Sequence, residues 1–390
     1  MLNIDEPSDR QPNWPFLRLG FRPFFLLGTF FSIVAIGLWG SFFLGQISFT
    51  PHGNPLWWHG HEMIYGFVMA IVAGFILTAS QTWTGQPSIK GKALGLLVLL
   101  WLIPRVLLIQ RQWFPLELVA AIDLLFAPSV AWILGKQVIA VKQWRNFAFI
   151  PIFLLLSIAN ALSYYGVITR DLALVTQAFH GASILMVTIV ALIGGRVVPF
   201  FTDRATTWQR VESLAWLEKL TFISLILLFA ANIIGNALTI QIMAMIAGTT
   251  LLFRWSRWGV QSTLHVPLLW SLHLSYLFIP VGLLLMAIGL NFSAGLHAMT
   301  VGGLGGMILA MMARVSLGHT GRNLVPPKPV ILGFGFILIA ATSRVLAALL
   351  PQQFSLWLAI AILSWISAFA SFFICYMPIL LKPRVDGRPG

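Results

Sequence analysis

Three of the eight histidines in this chain of 390 residues recur at nearly regular intervals, and a fourth lies close to the first of them. His61, His180 and His297 are separated by 119 and 117 residues, and His59 lies two residues before His61. A neutral imidazole is the commonest protein ligand for haem iron and copper. The residue type and the spacing therefore predict a metal site built from His59, His61, His180 and His297.

The segments that carry these histidines are predicted to span a membrane. Hydrophobic residues make up 58% of the chain, charged residues 9%, and the mean hydropathy is +0.89, which excludes an ordinary water-soluble fold. One helical span needs about 20 apolar residues. The sequence predicts a single all-α, multi-pass transmembrane domain with twelve helices at 21–44, 58–83, 92–109, 115–136, 145–166, 172–201, 214–235, 237–255, 266–290, 295–317, 330–350 and 354–381.

The net charge of +13 follows the topology of these spans. All but four of the 24 basic residues fall at one face of the predicted bundle, the exceptions being Arg105, Arg111, Arg170 and Arg344. The positive-inside rule then places both termini in the cytoplasm, with no nucleic-acid partner implied. The N-terminal segment MLNIDEPSDRQ lacks the features of a secretory signal, so the first span is expected to stay as an anchor.

This topology gives the four histidines a common depth near the outer surface. His59 and His61 open span two from the outside, His180 lies a few turns into span six, and His297 opens span ten. Residues i and i+2 of a helix point about 200° apart, so His59 and His61 are expected to face opposite flanks. They would serve separate centres, either two haems or a haem and a copper, and their pairing with the other histidines stays open.

The histidine spacing also predicts an internal repeat. Three four-helix units at about 15–140, 145–258 and 262–382 would each carry a histidine on the second helix. A pseudo-threefold axis would bring these second helices together around a common centre. The alternative is a chance match between apolar helices, which draw on few residue types.

Two arginines within the predicted spans need anionic partners. Arg105 and Arg344 lie in the outer halves of spans three and eleven, where an unpaired cation is costly. Haem propionates would supply the anions, and Asp123 or Glu62 are the protein alternatives. The single Cys375 excludes internal disulfides, and no C-x-x-C-H motif is present, so any haem would be bound non-covalently.

A run of glycines in span ten has two interpretations. Gly302, Gly303, Gly305 and Gly306 strip one stretch of the helix of side chains. Such a surface suits a flat macrocycle, and it equally suits close packing of two helices.

Four longer motifs resemble one known family. LGFRPFFL at Leu19, HGHEM at His59, GFILTASQTWTG at Gly74 and HAMTVGGLGGMILAMMARVSLGHTGR at His297 are similar to segments of the NnrS family. The resemblance implies a bacterial inner-membrane protein with haem and copper, and the haem, bound non-covalently, is expected to be b-type. It further implies that the protein binds nitric oxide in denitrification or in resistance to nitrosative stress.

The twelve-helix plan also resembles, more distantly, the main subunit of haem-copper oxidases. That subunit uses a histidine pair on span seven, whereas this sequence has none there, and span ten carries His297 alone before His319 at its far end. A complete set of haem and copper centres needs about six imidazoles, and the outer layer offers four. This shortage of imidazoles argues against full respiratory turnover. If the protein is an enzyme, the expected activity is that of a nitric-oxide-related oxidoreductase with an unidentified redox partner. The alternatives are a twelve-span transporter of a metal or small molecule and a reduced haem-copper respiratory oxidoreductase.

Overall fold

The computed structural model describes residues 14–388, and within them every regular element is helical. Short 3-10 turns accompany twelve longer helices. These are α1 (Phe21–Phe43), α2 (Pro55–Thr84), α3 (Gly91–Leu107), α4 (Leu116–Ala140), α5 (Phe149–Thr169), α6 (Leu172–Ala205), α7 (Ala215–Ile234), α8 (Ala237–Ser256), α9 (Pro267–Ala287), α10 (Phe292–His319), α11 (Lys328–Leu349) and α12 (Phe354–Leu381).

The twelve helices lie where the sequence predicts spans. Eleven segments of the described chain are long and apolar enough to cross a membrane, and α3 is shorter, with 17 residues. A helix satisfies its own backbone polar groups, which the hydrocarbon core of a bilayer requires of any segment that crosses it. The prediction of an all-α, polytopic membrane protein is confirmed.

Two helices change from α to π geometry directly after a histidine. The π-helical stretch Glu62–Val68 follows His61 in α2, and Ala298–Gly305 follows His297 in α10. In a π-helix the hydrogen bond runs from residue i to i+5, and such stretches occur frequently at functional sites. The same irregularity therefore occurs at the same position after two of the predicted ligands.

The chain divides into two compact units. The first contains Met1–Ala182, Val315–Leu324 and Phe372–Gly390, and the second contains Ser183–Arg314 and Val325–Ser371. His59, His61 and His180 belong to the first unit, and His297 belongs to the second. The three predicted repeats, and the convergence of all four histidines, stay predictions.

Small residues allow α1 and α2 to approach closely within the first unit. Gly28 of α1 lies against Ala70 and Ile71, while Gly74 of α2 lies against Phe24. Such contacts between helix backbones replace the hydrophobic driving force that is missing between helices in lipid. They hold α2 against α1 in the half of the helix that follows the His59 and His61 turns.

Candidate functional site

His61 lies at the centre of a buried charged cluster in the first unit. Its Nδ1 is 3.0 Å from Glu62 Oε1, and its Nε2 is 3.1 Å from Asp123 Oδ2. Arg105 Nε is 3.3 Å from Glu62 Oε2, and Arg105 Nη2 donates to Asp123 Oδ1. All four residues are at most 5% exposed. We call His61, Glu62, Arg105 and Asp123 the His61 network.

Two side chains of α5 complete the contacts of Asp123. Asn160 Nδ2 and Tyr164 OH donate to Asp123 Oδ2 over 2.8 and 3.2 Å. Asp123 ends the first part of α4, which resumes at Phe126, so the carboxylate sits where the helix is interrupted. Asn160 and Tyr164 were not predicted from the sequence. Their spacing of four residues on a mostly apolar span is the signal that could have identified them.

Gly66 provides the space that the His61 network occupies. A Cβ at this position would meet the Glu62 carboxylate and the Phe31 ring, and would lie 3.2 Å from Arg105 Nη1. The Gly66 carbonyl, within the π-helical stretch, accepts a hydrogen bond of 2.8 Å from Trp101 Nε1. The absence of a side chain at Gly66 therefore allows α1, α2 and α3 to enclose the charged groups.

We expect Gly66→Ala to lower the free energy of unfolding by about 1 to 2 kcal/mol, because the added methyl group overpacks the site. The measurement is an SDS titration of the protein in mixed micelles. Gly95→Ala is the matched control, since a Cβ at Gly95 of α3 makes only an ordinary contact, 3.5 Å from Leu17. Equal stability of the Gly66→Ala variant and the wild type would contradict the steric argument.

In the His61 network Arg105 pairs with protein carboxylates, one of the two kinds of anion expected for this arginine. Asp123 and Glu62 both pair with its guanidinium, yet the buried Arg105 Nη1 has no hydrogen-bond partner among residues 14–388. His61 contacts a carboxylate through each ring nitrogen. A metal at His61 would have to displace Glu62 or Asp123, so the role of His61 as a ligand stays a prediction.

His59 and His61 face different surroundings. The His59 ring stacks on Trp39 of α1, with centroids 4.5 Å apart and planes inclined by 12°. The His61 ring stacks on Trp57, with centroids 4.8 Å apart and an angle of 22°. The prediction that these two side chains point to different flanks of α2 is confirmed.

The helix turn that carries His180 lies beside the outer end of α2. A Cβ at Gly60, between His59 and His61, would contact the ring of Phe179, the residue before His180. His180 itself is half-buried on α6. The fold thus places three of the predicted ligands on adjacent helix turns of the first unit.

In the second unit His297 and Arg344 meet through Ser293. His297 Nδ1 lies 2.8 Å from the Ser293 carbonyl oxygen, so this nitrogen carries the proton and donates it. Arg344 Nη2 donates to Ser293 Oγ over 3.3 Å. Arg344 Nη1 is buried and has no hydrogen-bond partner within the described part of the chain. Ser293, which was not predicted from the sequence, contacts both predicted residues.

The glycine run in α10 serves helix packing. Gly302 and Gly303 lie against Phe278 and Ile279 of α9. Side chains at these two positions would collide with α9, and the interpretation as a packing surface is confirmed for both.

No three His, Cys, Asp or Glu side chains among residues 14–388 form a group that could hold a metal ion. Haem and copper binding by this chain stay predictions.

Comparison with known proteins assigns the chain to a family. No match was found among curated proteins. The profile of a family described as NnrS protein matches residues 15–384, nearly the whole chain. Because this match covers nearly the whole chain, the chain belongs to the NnrS family.

Proposed function

We propose that this protein is a haem- and copper-binding protein of the bacterial inner membrane that binds nitric oxide and converts or relays it. Membership of the NnrS family supports a role in nitric oxide metabolism. The basic residues that follow the positive-inside rule support cytoplasmic termini. In this role the protein would limit nitrosation of cellular iron during denitrification or nitrosative stress.

The contact between His297 and Ser293 carries the haem part of the proposal. Because His297 Nδ1–H donates to the Ser293 carbonyl, the lone pair of the neutral ring lies on Nε2, the tautomer that a metal ligand needs. The nearby Arg344 guanidinium has a buried Nη1 that would pair with a haem propionate. Bound haem would supply an iron atom that takes nitric oxide as a ligand.

The first unit offers a second arginine of the same kind. Arg105 Nη1 is buried and would accept a further anionic group, while His61 would bind a metal only after release of a carboxylate. The copper part of the proposal rests on the resemblance to the family. His59 and His180 are its candidate ligands.

His59, His61 and His297 lie on helices that are mostly buried, 83% for the most apolar window of α2 and 78% for that of α10. Nitric oxide is small and apolar, so it would reach a metal within either unit from the bilayer without a polar pore. Larger and charged molecules would be excluded by the same apolar surroundings.

A transporter is the second candidate, and the interruption of α4 favours it. Discontinuous membrane helices commonly line the binding sites of transporters, and Asp123 lies at such a break beside three other buried ionisable residues. A colourless, metal-free preparation of the purified protein would favour this alternative.

The visible absorption spectrum of the purified protein tests the proposal. We expect a Soret band, sharp bands after reduction, and a spectral change on addition of nitric oxide. His297→Ala is expected to lose most of the bound haem, whereas His265→Ala, in an exposed loop, is expected to retain it. Full haem content in a monodisperse His297→Ala preparation would contradict the ligand assignment.

A further inference from the structure

A cavity of about 340 Å³ lies between two connecting segments of the second unit. One segment joins α6 to α7, and the other joins α8 to α9. The residues that line the cavity include Trp208, Ser256, Arg257, Gly259, Gln261 and Ser262. We call this space the loop cavity. It lies at the face that the charge distribution assigns to the cytoplasm, and the proposed function gives it no role.

Two contacts hold the walls of the loop cavity together. Arg257 Nη2 donates to the Glu212 carbonyl oxygen over 3.1 Å, so the second segment is bonded to the first. The Trp208 ring lies directly on Gly259, where a Cβ would come within 2.5 to 2.6 Å of three indole atoms. Gly259 also has a φ of 74°, a conformation that favours glycine. The fold therefore forms the cavity in advance of any ligand.

Hydrogen-bond donors dominate the lining of the loop cavity. The Arg257 guanidinium has five N–H groups, and its bond to the Glu212 carbonyl is its only polar contact within residues 14–388. Trp208 Nε1 and the side chains of Gln261 and Ser262 form no hydrogen bond with the described part of the chain.

The same lining lacks carboxylates. Neither Asp nor Glu is among the described residues that line the cavity, and Arg257 forms no ion pair with any of residues 14–388. The cavity thus presents one cation and several neutral donors to whatever enters it. This set of groups suits an anion with several acceptor oxygens.

We propose that the loop cavity binds the phosphate group of an organic phosphate. Guanidinium groups recognise phosphate through paired, charge-assisted hydrogen bonds. The Trp208 indole, the Gln261 amide and the Ser262 hydroxyl would donate to the remaining phosphate oxygens. A volume of about 340 Å³ falls in the range of roughly 300 to 1,000 Å³ that is typical of sites for whole small molecules, so there is room for an organic part.

Two sources offer this chemistry. A phospholipid head group would approach from the membrane, since basic pockets at the cytoplasmic ends of membrane helices bind anionic head groups. A soluble phosphate ester would approach from the cytoplasm. The phosphate group and its contacts with Arg257 are the same in both cases.

The test measures binding of two probes to the full-length protein in detergent by native mass spectrometry. The probes are glycerol phosphate and short-chain phosphatidylglycerol. We expect Arg257→Gln to weaken binding of the retained probe about ten- to hundredfold, because it removes charge-assisted hydrogen bonds. Arg257→Lys keeps the charge without the paired geometry and is expected to recover part of the loss.

A second variant leaves Arg257 and its bond to Glu212 in place. Ser262→Phe fills the loop cavity with a larger side chain and is expected to weaken binding to a similar degree. Arg210→Gln is the matched control, since it removes the same charge from an exposed position of the first segment that does not line the cavity. It should bind the probe as the wild type does.

The wild-type result identifies the source of the phosphate. Retention of phosphatidylglycerol with little glycerol phosphate would assign the site to a lipid, and the reverse would assign it to a soluble ester. Either result, lost in Arg257→Gln and Ser262→Phe, supports the phosphate site. Failure of the wild type to retain either probe, or unchanged binding in both of these variants, would overturn the proposal. An equal loss in Arg210→Gln would also overturn it, because the cavity would then not decide binding.

Discussion

The Asp123→Asn variant is expected to be about 3 to 5 kcal/mol less stable than the wild type, since it removes one partner from a buried ion pair. Asp123 contacts Arg105, His61, Asn160 and Tyr164, and the isosteric amide keeps the shape while it removes the charge. Arg105 would then remain in an apolar bundle with Glu62 as its remaining acidic neighbour in the network. An SDS titration of the protein in mixed micelles measures the change in the free energy of unfolding.

A double variant separates the loss of the Arg105–Asp123 attraction from the cost of leaving Arg105 without its counterion. Arg105→Met/Asp123→Asn removes one cation and one anion together, and we expect it to recover about half of the lost stability. Glu117→Gln, an exposed carboxylate on the same helix, is the matched control and should change stability by less than about 0.5 kcal/mol. A small effect of Asp123→Asn alone would show that the His61 network is not what holds α2 to α4.

In the second unit the Glu218→Gln variant is expected to lose about 2 to 3 kcal/mol, because it strands a buried guanidinium. Arg254 Nε and Nη2 donate to Glu218 over 2.7 and 2.6 Å, and Nη1 donates to the Ala191 carbonyl over 2.7 Å. The Glu218 side chain is 33% exposed, which sets this effect below that of Asp123.

The thermal unfolding midpoint in detergent measures the effect of Glu218→Gln. Glu212→Gln removes an exposed carboxylate from the segment before α7 and is expected to behave like the wild type. If Glu218→Gln and Glu212→Gln unfold at the same temperature, water or another group must compensate Arg254.

The positions of the membrane helices could be predicted because each is a long apolar segment bounded by polar or basic residues. The two irregular features of α2 and α4 differ in this respect. The π-helical stretch Glu62–Val68 depends on packing around Gly66, a tertiary contact that local residue preferences do not reveal. The interruption of α4 at Leu124 and Leu125 has a local signal, since Pro128 lacks the N–H that would bond to the Leu124 carbonyl and its ring clashes with that group.

The ionisable residues of the candidate site could be predicted from the sequence, and their polar partners could not. Ionisable residues within apolar spans identified His61, Arg105 and Arg344 and suggested Asp123 as an anion. The uncharged partners of these residues have no such signal in the sequence. Asn160 reaches Asp123 from another helix, and Ser293 orients His297 through a backbone carbonyl that no side-chain pattern records.

The π-helical stretches let α2 and α10 tolerate a deletion that an ordinary helix would not. Loss of a single amino acid from Glu62–Val68 would allow ordinary i to i+4 bonding to resume. The tighter winding would offset most of the missing residue, so the outer turn would keep nearly its present orientation. Loss of a residue from the α-helical part of α2 has no such compensation, and it would turn His59 and His61 by about 100° away from their present neighbours.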